Sequence, residues 1–371
     1  MANYKFDNRV VLTLDAGGTN MVFGAMKGGE FIVEPLTLPA NSQLLDLCLQ
    51  TMVLGFQTII EKLGEEKPVA ISFAFPGPAD YPNGIIGGYL PNFPSFRDGV
   101  ALGDFLKDKF GIPVYINNDG NLFAYGEALG GALVEVNERL AAMGSSKRFK
   151  NLVGYTFGTG FGFGGIVNGE LNLGDNSCAE TFCLPHKNKP GIIVEEGVAV
   201  RAVKRVYAEA SGEFDHNYEP KDICMIADGV LPGNVEAAKK AFAEFGEVAG
   251  DAMATAVTLI DGLIVIGGGI TAARKHIMPS LLAQLRSKMH TLGGDELNRV
   301  QMKVYDLDNE EEFAEFAKGE SRKIKVYGSD REVVYDPQMR TGVMISKLGA
   351  SKAISVGAYM FALNQLDKLE K

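Results

Sequence analysis

One pattern occurs twice in this chain and limits what it can fold into: a short apolar run, a glycine-rich turn and a second short apolar run. The three parts cover residues 10–14, 15–20 and 21–25 in the first copy, and residues 152–156, 157–162 and 163–167 in the second. Apolar runs of this length on either side of glycines predict a strand, a turn and a strand. The repeat predicts two similar α/β halves that face each other across a cleft, where ligands of such architectures usually bind.

Helical periodicity fills in the first half. Apolar residues between Leu45 and Leu63 fall on one face at helical spacing, with Asn41 and Ser42 as capping candidates and Gly64 as the stop. Further predicted elements are a possible third strand at 31–33, buried strands at 69–75 and 113–117, and a helix at 102–110. The predicted order up to residue 117 is therefore β-β-β-α-β-α-β.

The second half continues the alternation of strands and helices. A long amphipathic helix is predicted from about Val235 to Leu259, followed by a buried strand at Leu263–Ile266. The last predicted helix, near Ala353–Leu369, crosses back to the first lobe. We therefore predict a small lobe of residues 1–118, completed by residues 353–371, and a large lobe of residues 119–352.

Composition excludes several classes of protein. The 371 residues carry 36 basic and 46 acidic side chains, a net charge of −10, and no dense basic patch, which argues against nucleic-acid or anionic-membrane partners. The most apolar stretch, Ala252–Ala273, is interrupted by Asp261 and by Gly267–Gly269, so no membrane span is predicted. Four scattered cysteines and a polar start, Met1–Val10, favour a reducing cytoplasm.

Each glycine turn has the chemistry of a phosphate site. Asp15-Ala-Gly-Gly-Thr19 combines a carboxylate, two glycines that let backbone N–H groups approach an anion, and a hydroxyl donor. Gly158-Thr159-Gly160 offers similar groups at the equivalent position. Either turn alone is equally consistent with an ordinary hairpin, but the pair predicts that both grip one polyphosphate. Neither is a P-loop, since the lysine and the strand-turn-helix setting are absent.

A third glycine motif follows a buried strand late in the chain. Gly267-Gly268-Gly269 opens a helical segment, so it offers backbone N–H groups to a nucleotide. A Rossmann site is disfavoured, because that motif lies in an early βαβ unit with an acidic residue about 20 positions further on.

The segment after the predicted strand at 113–117 carries candidate catalytic groups. Asp119, in Asn117-Asn-Asp-Gly-Asn121, is suited to accept the proton of a substrate hydroxyl during in-line phosphoryl transfer. Its neighbouring amides, and Asn92 in a proline-stiffened loop, are suited to polyol hydroxyls. The alternatives are an Asx-rich helix cap and a simple turn residue.

Six motifs in order now resemble one family, the sugar kinases of the ROK group (repressors, open reading frames, kinases) within the actin-like ATPase superfamily. They are Asp15–Thr19, Phe75–Pro78, Leu90–Asn92, Asn118–Asp119, Gly158–Gly160 and Ile266–Gly269. The resemblance implies a two-lobed actin-like (ribonuclease H-like) ATPase fold with a central cleft whose closure shields the reaction from water. It also implies a homodimer.

The resemblance assigns roles to individual residues. It implies a kinase that uses ATP and Mg²⁺, with Asp119 as the catalytic base and with Mg²⁺ held by Asp15 through water. The implied ATP-binding residues are Asp15, Gly17, Gly18, Thr19, Gly158, Thr159, Gly160, Gly267, Gly268 and Gly269. The implied sugar-binding residues are Asn92, Asn118, Asp119, Glu180, His186 and Glu195, with Glu196 as an alternative to Glu195.

The chain departs from the family in its sugar pocket. Family members usually carry a histidine three residues after the glutamate that corresponds to Glu180, and this chain has Cys183 there. His186 is either a substitute for that histidine or a structural residue. The family's cysteine cluster for zinc is absent, and Cys178, Cys183 and His186 lack a fourth partner, so no zinc site is expected.

A second departure is the segment from about Val304 to Met339, which is longer than the family's usual connection. Its acidic run, Asp306–Glu312, predicts a solvated face or a hairpin insertion.

The predicted function is an ATP-dependent hexose kinase that phosphorylates a sugar hydroxyl, with O6 of glucose implied by the resemblance. The altered stretch from Glu180 to His186 leaves N-acetylhexosamines and fructose open as substrates. A sugar-responsive repressor is disfavoured, because only about ten residues precede the first predicted strand. A sugar-binding protein without catalysis is disfavoured by the presence of Asp119 and both phosphate turns.

Overall fold

A computed structural model describes residues 4–77, 79–215 and 217–370. From the start of the chain to residue 142 its elements are β1 (Val10–Ala16), β2 (Asn20–Lys27), β3 (Glu30–Phe31), β4 (Leu36–Pro39), α1 (Leu45–Leu63), β5 (Pro68–Ala74), β6 (Ala79–Asp80), β7 (Ile85–Ile86), β8 (Val100–Ala101), α2 (Leu102–Phe110), β9 (Val114–Asn117), α3 (Asp119–Leu129) and α4 (Ala132–Ala142).

The remaining elements are β10 (Leu152–Phe157), β11 (Phe161–Val167), β12 (Glu170–Leu171), α5 (Val200–Ser211), α6 (Pro220–Ala227), α7 (Val235–Ile260), β13 (Leu263–Gly267), α8 (Arg274–Leu285), β14 (Lys288–His290), β15 (Glu296–Asn298), β16 (Lys303–Asp306), α9 (Glu310–Lys318), β17 (Arg322–Lys325), β18 (Glu332–Tyr335), β19 (Arg340–Ile345) and α10 (Ala350–Leu369). Short 3₁₀ helices lie at Pro94–Phe96, Val194–Glu196 and Gly269–Ala273.

Two compact units result. The first unit contains the chain up to Val134, Gly164–Ala179 and the chain from Leu348, and the second contains Glu135–Phe163 and Glu180–Lys347. The predicted small lobe ended at residue 118, whereas the structure groups 119–134 and 164–179 with the first unit.

The packing of α3 against α10 explains this grouping. A Cβ on Gly126 would lie 2.0 Å from the carbonyl oxygen of Ala353, and one on Gly357 would lie 1.9 Å from that of Leu122. The two helix backbones are therefore in direct contact, and only glycine fits at these two positions. The contact keeps α3 in the same unit as the last helix, which the sequence predicted to return to the first lobe.

In the first unit the sheet order is β3-β2-β1-β5-β9, with β4 also paired to β2. Strands β1, β5 and β9 are parallel, and Asp15, Ala74 and Asn117 are in register across them. The carboxyl ends of these strands therefore share one edge of the sheet, where α/β proteins place their ligands.

The sheet of the second unit repeats this plan. Its order is β11-β10-β13-β19-β16, with β10, β13, β19 and β16 parallel, while β12 pairs with the end of β11 inside the first unit. Thr156 pairs with Gly267, so the second glycine turn and the glycine triplet leave the same edge of the sheet. Both predicted hairpins and the predicted long helix α7 are confirmed.

The predicted cap of α1 is wrong. The residue before the helix is Leu44, which makes no side-chain capping hydrogen bond. The Ser42 hydroxyl instead donates to the carbonyl of Gly18, and the Asn41 amide donates to Pro39 and Thr51. These side chains hold the loop before the helix, a use that helix periodicity does not reveal.

In Val304–Met339 the end of the acidic run forms a solvated helix face, since Glu310 and Glu311 are exposed, and a hairpin follows in the second half of the segment. The segment starts inside β16, a strand of the sheet, and Asn309 caps α9, whose first turn holds Glu310–Glu312. Acidic side chains in a first helical turn interact favourably with the helix dipole. Only β17 and β18 form the expected exposed hairpin.

No helix in the described parts of the chain combines the length and the apolar character needed to cross a bilayer.

Candidate active site

Two carboxylates stand at the ligand-binding edge of the first sheet. Asp15 ends β1 and Asp119 follows β9, and these strands flank β5. With neighbouring strands about 4.8 Å apart, the strand ends that carry them are separated by roughly 10 Å. Asp15 is solvent-exposed and makes no hydrogen bond or ion pair among the described residues, so its oxygens are available to a cation.

Asp119 is the first residue of α3, where its Oδ1 accepts the N–H of Gly120 at 2.8 Å. The carboxylate reaches solvent, yet the protein atoms packed around it desolvate it. This desolvation raises the pKa of Asp119 above the ordinary range, and the negative charge of Asp15 raises it further. A raised pKa brings a carboxylate closer to the value that suits a general base at neutral pH.

The asparagines around Asp119 serve the fold first. Asn118 caps α3, since its Oδ1 accepts the N–H of Asn121 at 2.6 Å. Asn117 Oδ1 accepts the N–H of Asn118 and the side-chain amide of Asn121. The cap that the sequence left as an alternative for this segment is therefore real, and it is Asn118 that forms it. The cap fixes the backbone from which Asp119 projects.

The first glycine turn lies directly against the Asn92 loop. A Cβ on Gly18 would lie 2.8 Å from the Cβ of Asn92. Three buried rings support that loop, with centroid separations of 4.6 Å for Phe75–Phe93, 5.2 Å for Phe75–Phe96 and 5.8 Å for Phe93–Phe96. Asn92 itself is exposed. Packing therefore brings the predicted phosphate turn and a predicted sugar residue together; Pro78, from the neighbouring motif, lies outside the described residues.

The second glycine turn is held by charged side chains. The Glu195 carboxylate accepts the N–H of Phe161 at 3.0 Å through Oε2 and pairs with Arg201 at 2.9 Å through Oε1. Arg201 also donates to the carbonyl of Thr159 at 3.1 Å. A Cβ on Gly160 would lie 2.8 Å from Glu195 Oε2, so glycine is needed for the carboxylate to reach the turn.

The glycine triplet packs on the start of that turn. Gly268 has φ +96°, and a Cβ there would lie 2.2 Å from the carbonyl oxygen of Phe157. Gly158 and Gly269 instead have open space around the position of a Cβ. The turn Gly158–Gly160 and the triplet Gly267–Gly269 thus form one glycine-lined surface that offers backbone N–H groups, which suits an anionic or nucleotide ligand.

The stretch from Glu180 to His186, in which this chain departs from the family, differs from the glycine turns in burial and chemistry. His186 is only 3% exposed, its Nδ1 accepts the N–H of Asn188 at 3.1 Å, and burial lowers its pKa. A neutral buried imidazole favours the structural alternative for this histidine. Glu180 is half-buried, and Cys178 and Cys183 are exposed free thiols.

Sequence reasoning missed Arg201 and Ser42. Arg201 lies 41 residues after Gly160, and nothing in the local pattern of α5 distinguishes it from Arg205. Ser42 was noted as a helix cap, although it bonds the first turn. Both act through long-range contacts, for which one sequence carries no signal.

The two units each have a glycine-turned hairpin, parallel strands and glycines or acids at the ligand-binding edge, which is the fold of the actin-like ATPases. A glucokinase of Parabacteroides distasonis, solved as a crystal structure, is 57% identical to this chain with a TM-score of 0.90, covering 97% of this chain and 99% of the other. The ROK family model matches residues 11–304, and this chain belongs to the ROK family.

Curated relatives agree with this assignment. A glucokinase of Thermotoga maritima is 28% identical over 165 residues, which cover 44% of this chain and 46% of that protein. The match therefore spans about half of the length of that relative. A β-glucoside kinase of Listeria monocytogenes is 26% identical over 297 residues, which cover 76% of this chain and 88% of the other. The chain is similar to sugar kinases.

Proposed function

We propose that this protein is an ATP-dependent hexose kinase that transfers a phosphoryl group to a sugar hydroxyl, with O6 of glucose as the acceptor. The observation that carries the proposal is the sheet edge with Asp15 and Asp119, two carboxylates whose pKa values desolvation raises. Asp15 has no protein partner among the described residues, and Asp119 stands at a helix start. The similarity to the glucokinase of Parabacteroides distasonis supports glucose as the sugar.

Asp119 is the general base. It accepts the proton of the attacking hydroxyl as the oxygen approaches the phosphoryl group, so positive charge does not build up on the attacking oxygen. The cap made by Asn118 and the bond from Gly120 fix the direction of this carboxylate. General bases of this kind contribute roughly 10²- to 10⁴-fold to turnover.

The glycine surfaces hold ATP. Residues 17–19, Thr159 and Gly160 offer backbone N–H groups to the phosphates, whereas the N–H of Gly158 donates to the carbonyl of Gly160. Residues 267–269, between β13 and the 3₁₀ helix Gly269–Ala273, would contact the nucleoside. Asp15 fits Mg²⁺, because it is an exposed carboxylate without a protein partner in the described parts of the chain. Mg²⁺ held there through water would neutralise charge on the phosphates.

The sugar is held by Asn92, Asn118, Glu180 and Glu195. Glu195 supports the phosphate turn through both of its oxygens, but each carboxylate oxygen has a second lone pair for a sugar hydroxyl. His186, buried and neutral, supports the pocket from behind through its packing against Gly197. We further propose a cytoplasmic location, with which four free thiols agree, and a homodimer, which rests on the family resemblance alone.

A second substrate class follows from one feature. Cys183, exposed, stands where the family usually has a sugar-contacting histidine, so a hydroxyl of an N-acetylhexosamine or of fructose is the alternative acceptor.

The test measures ADP release with glucose, mannose, fructose, N-acetylglucosamine and N-acetylmannosamine for wild type, Asp119→Asn and the control Asp108→Asn, an exposed residue of α2. We expect glucose-dependent turnover that falls by roughly 10²-fold or more only in Asp119→Asn. Turnover without any sugar dependence, or full activity of Asp119→Asn, contradicts the proposal.

Stability distinguishes loss of chemistry from loss of fold. The pKa of Asp119 is higher in the folded state than in the unfolded state, so ionisation of Asp119 costs folding free energy as pH rises through and above the unfolded value of about 4. Asp119→Asn removes this cost. We therefore expect its melting temperature at pH 7 to equal or exceed that of wild type.

A further inference from the structure

Three side chains of different chemistry converge within the second unit, and none of them is among the residues proposed for catalysis. Cys224 lies on α6, Asp228 ends that helix, and His276 lies in the first turn of α8. Cys224 and Asp228 are four residues apart, so they share one face of α6. Their donor atoms, Cys224 Sγ, an Asp228 oxygen and a nitrogen of His276, all lie within 4.8 Å of one another.

The imidazole is already oriented toward this point. His276 Nε2 lies 2.6 Å from Asp228 Oδ1, and the ring stacks on Phe242 with centroids 6.0 Å apart and planes at 21°. His276 is only 15% exposed in its side chain, and Cys224 is half-buried. Packing thus restricts two of the three donors before any ligand arrives, which lowers the entropy that binding would cost.

A cation already stands beside the carboxylate. The Lys275 ammonium lies 2.7 Å from Asp228 Oδ1, and its side chain is 61% exposed. Burial raises the pKa of the Cys224 thiol, so a metal ion that binds here displaces the thiol proton as well as the ammonium. Because Lys275 reaches in from solvent on a flexible stem, it can swing out and leave its position to a divalent ion.

We propose that Cys224, Asp228 and His276 form a binding site for a thiophilic divalent metal ion, with Zn²⁺ as the ion that this donor set suits. Zinc bonds of about 2.0 to 2.3 Å place ligand atoms roughly 3 to 4 Å apart. Small side-chain rotations would therefore widen the 2.6 Å separation of His276 Nε2 and Asp228 Oδ1 and shorten the longest separation, which is at most 4.8 Å. Three protein ligands leave the fourth tetrahedral position to water. Mg²⁺ and Ca²⁺, which prefer oxygen, are excluded by the sulfur and nitrogen donors.

This metal site uses other residues than the zinc site that the sequence pattern led us to exclude. The expectation of no zinc site concerned Cys178, Cys183 and His186, which lie close together in sequence. Cys224 and His276 are 52 residues apart, so only the fold joins them. A bound ion would tie α6 to the start of α8, immediately after the 3₁₀ helix that follows Gly267–Gly269.

The experiment is a Co²⁺ titration of the untagged, full-length protein, followed by absorption spectroscopy. We expect one equivalent of Co²⁺ to give the intense thiolate-to-cobalt band and the visible bands of a four-coordinate ion, and one equivalent of Zn²⁺ to abolish them. Cys224→Ser should lose the thiolate band, whereas the exposed controls Cys178→Ser and Cys183→Ser should retain it. His276→Ala should weaken binding by at least roughly tenfold.

Lys275→Met separates a metal site from an ordinary ion-pair cluster. Removing the competing ammonium should tighten Co²⁺ binding severalfold, while an ion-pair cluster would only lose stability. The melting temperature of wild type should rise with Zn²⁺ concentration, and that of Cys224→Ser should not. The proposal is overturned if no saturable equivalent binds, or if the thiolate band survives Cys224→Ser. Sugar kinase activity with Mg²⁺ is a separate measurement and does not affect this result.

Discussion

The two glycine turns are alike in sequence and different in what supports them. The first, residues 15–20, is held by close packing of Gly18 on Asn92 and by the hydroxyl of Ser42. The second, residues 158–160, is held by Glu195 and Arg201 through hydrogen bonds and an ion pair. Only the first carries a carboxylate, Asp15, at its strand end.

Because the two glycine turns are supported differently, they suit different tasks. A turn supported by packing can carry an acidic group, because no nearby guanidinium neutralises it. A turn clamped by a guanidinium offers backbone N–H groups to an anion, while the charge of Arg201 is paired with the carboxylates of Glu195 and Glu196. The two turns are therefore not interchangeable, and substitutions in each should affect different kinetic constants.

Among substitutions in the two glycine turns, the largest effect is expected for Asp15→Asn. Loss of the carboxylate weakens the proposed Mg²⁺ site, so kcat should fall by roughly 10²-fold. The negative charge of Asp15 also contributes to the raised pKa of Asp119, so its removal lowers that pKa. The acidic limb of the profile of kcat/KM against pH, which reports the base, should move to lower pH.

The pH profile of Asp15→Asn is the informative measurement. Reduced activity with a limb that stays in place, or moves to higher pH, would show that the two carboxylates do not interact. In the second turn the position equivalent to Asp15 is Phe157, which carries no charge, so a substitution there is not a matched control. Asp108→Asn on α2 is the control, and its pH profile should equal that of wild type.

An intermediate effect is expected for a pair of matched substitutions, Gly18→Ala and Gly158→Ala. The new methyl at 18 would lie 2.8 Å from Asn92 Cβ, so Gly18→Ala should destabilise the fold by about 1 to 3 kcal/mol and raise KM for the sugar. A new methyl at 158 would have no atom beyond its chain neighbours within 4 Å. Gly158→Ala should therefore change the free energy of unfolding by less than about 0.5 kcal/mol and raise KM for ATP alone.

Thermal melts and substrate titrations of both variants decide the comparison. If Gly158→Ala destabilises the protein as much as Gly18→Ala does, the two turns are supported in the same way and the distinction drawn above is wrong.

Periodicity explains why much of the fold could be predicted. The apolar faces of α1 and α7 and the buried strands β5 and β9 are local patterns, and hydrophobic burial alone enforces them. The start of α1 could not be predicted in the same way. Asn41 and Ser42 suit a helix cap by type, but each has a partner more than a helical turn away in sequence, Thr51 for Asn41 and Gly18 for Ser42.

The residues of the candidate site also divide into those that local sequence patterns predict and those whose contacts depend on the tertiary fold. Asp15, Asp119 and the glycines were predicted because motif chemistry is local, and the structure places each at a strand end. The partners of Glu195 were not predicted, since Phe161 and Arg201 reach it from 34 residues before and 6 residues after. Burial of His186 and the grouping of Cys224 with His276 are also properties of tertiary packing alone.

The smallest effect is expected for Arg201, and it concerns binding more than stability. Its side chain is 43% exposed, and ion pairs of that exposure contribute less than about 1 kcal/mol. Arg201→Ala should therefore melt near the wild-type temperature. It should raise KM for ATP severalfold with little change in kcat, because the turn at 158–160 loses its clamp.

Arg201→Lys tests whether charge or geometry matters. Lysine keeps the positive charge but cannot donate to Thr159 and to Glu195 at once in a planar fork. If the guanidinium acts as a clamp, Arg201→Lys should have the raised KM of Arg201→Ala. If it acts as a diffuse positive charge, lysine should restore KM. Arg205→Ala, one turn further along α5 and bonded to Glu196, is the control and should leave KM for ATP unchanged.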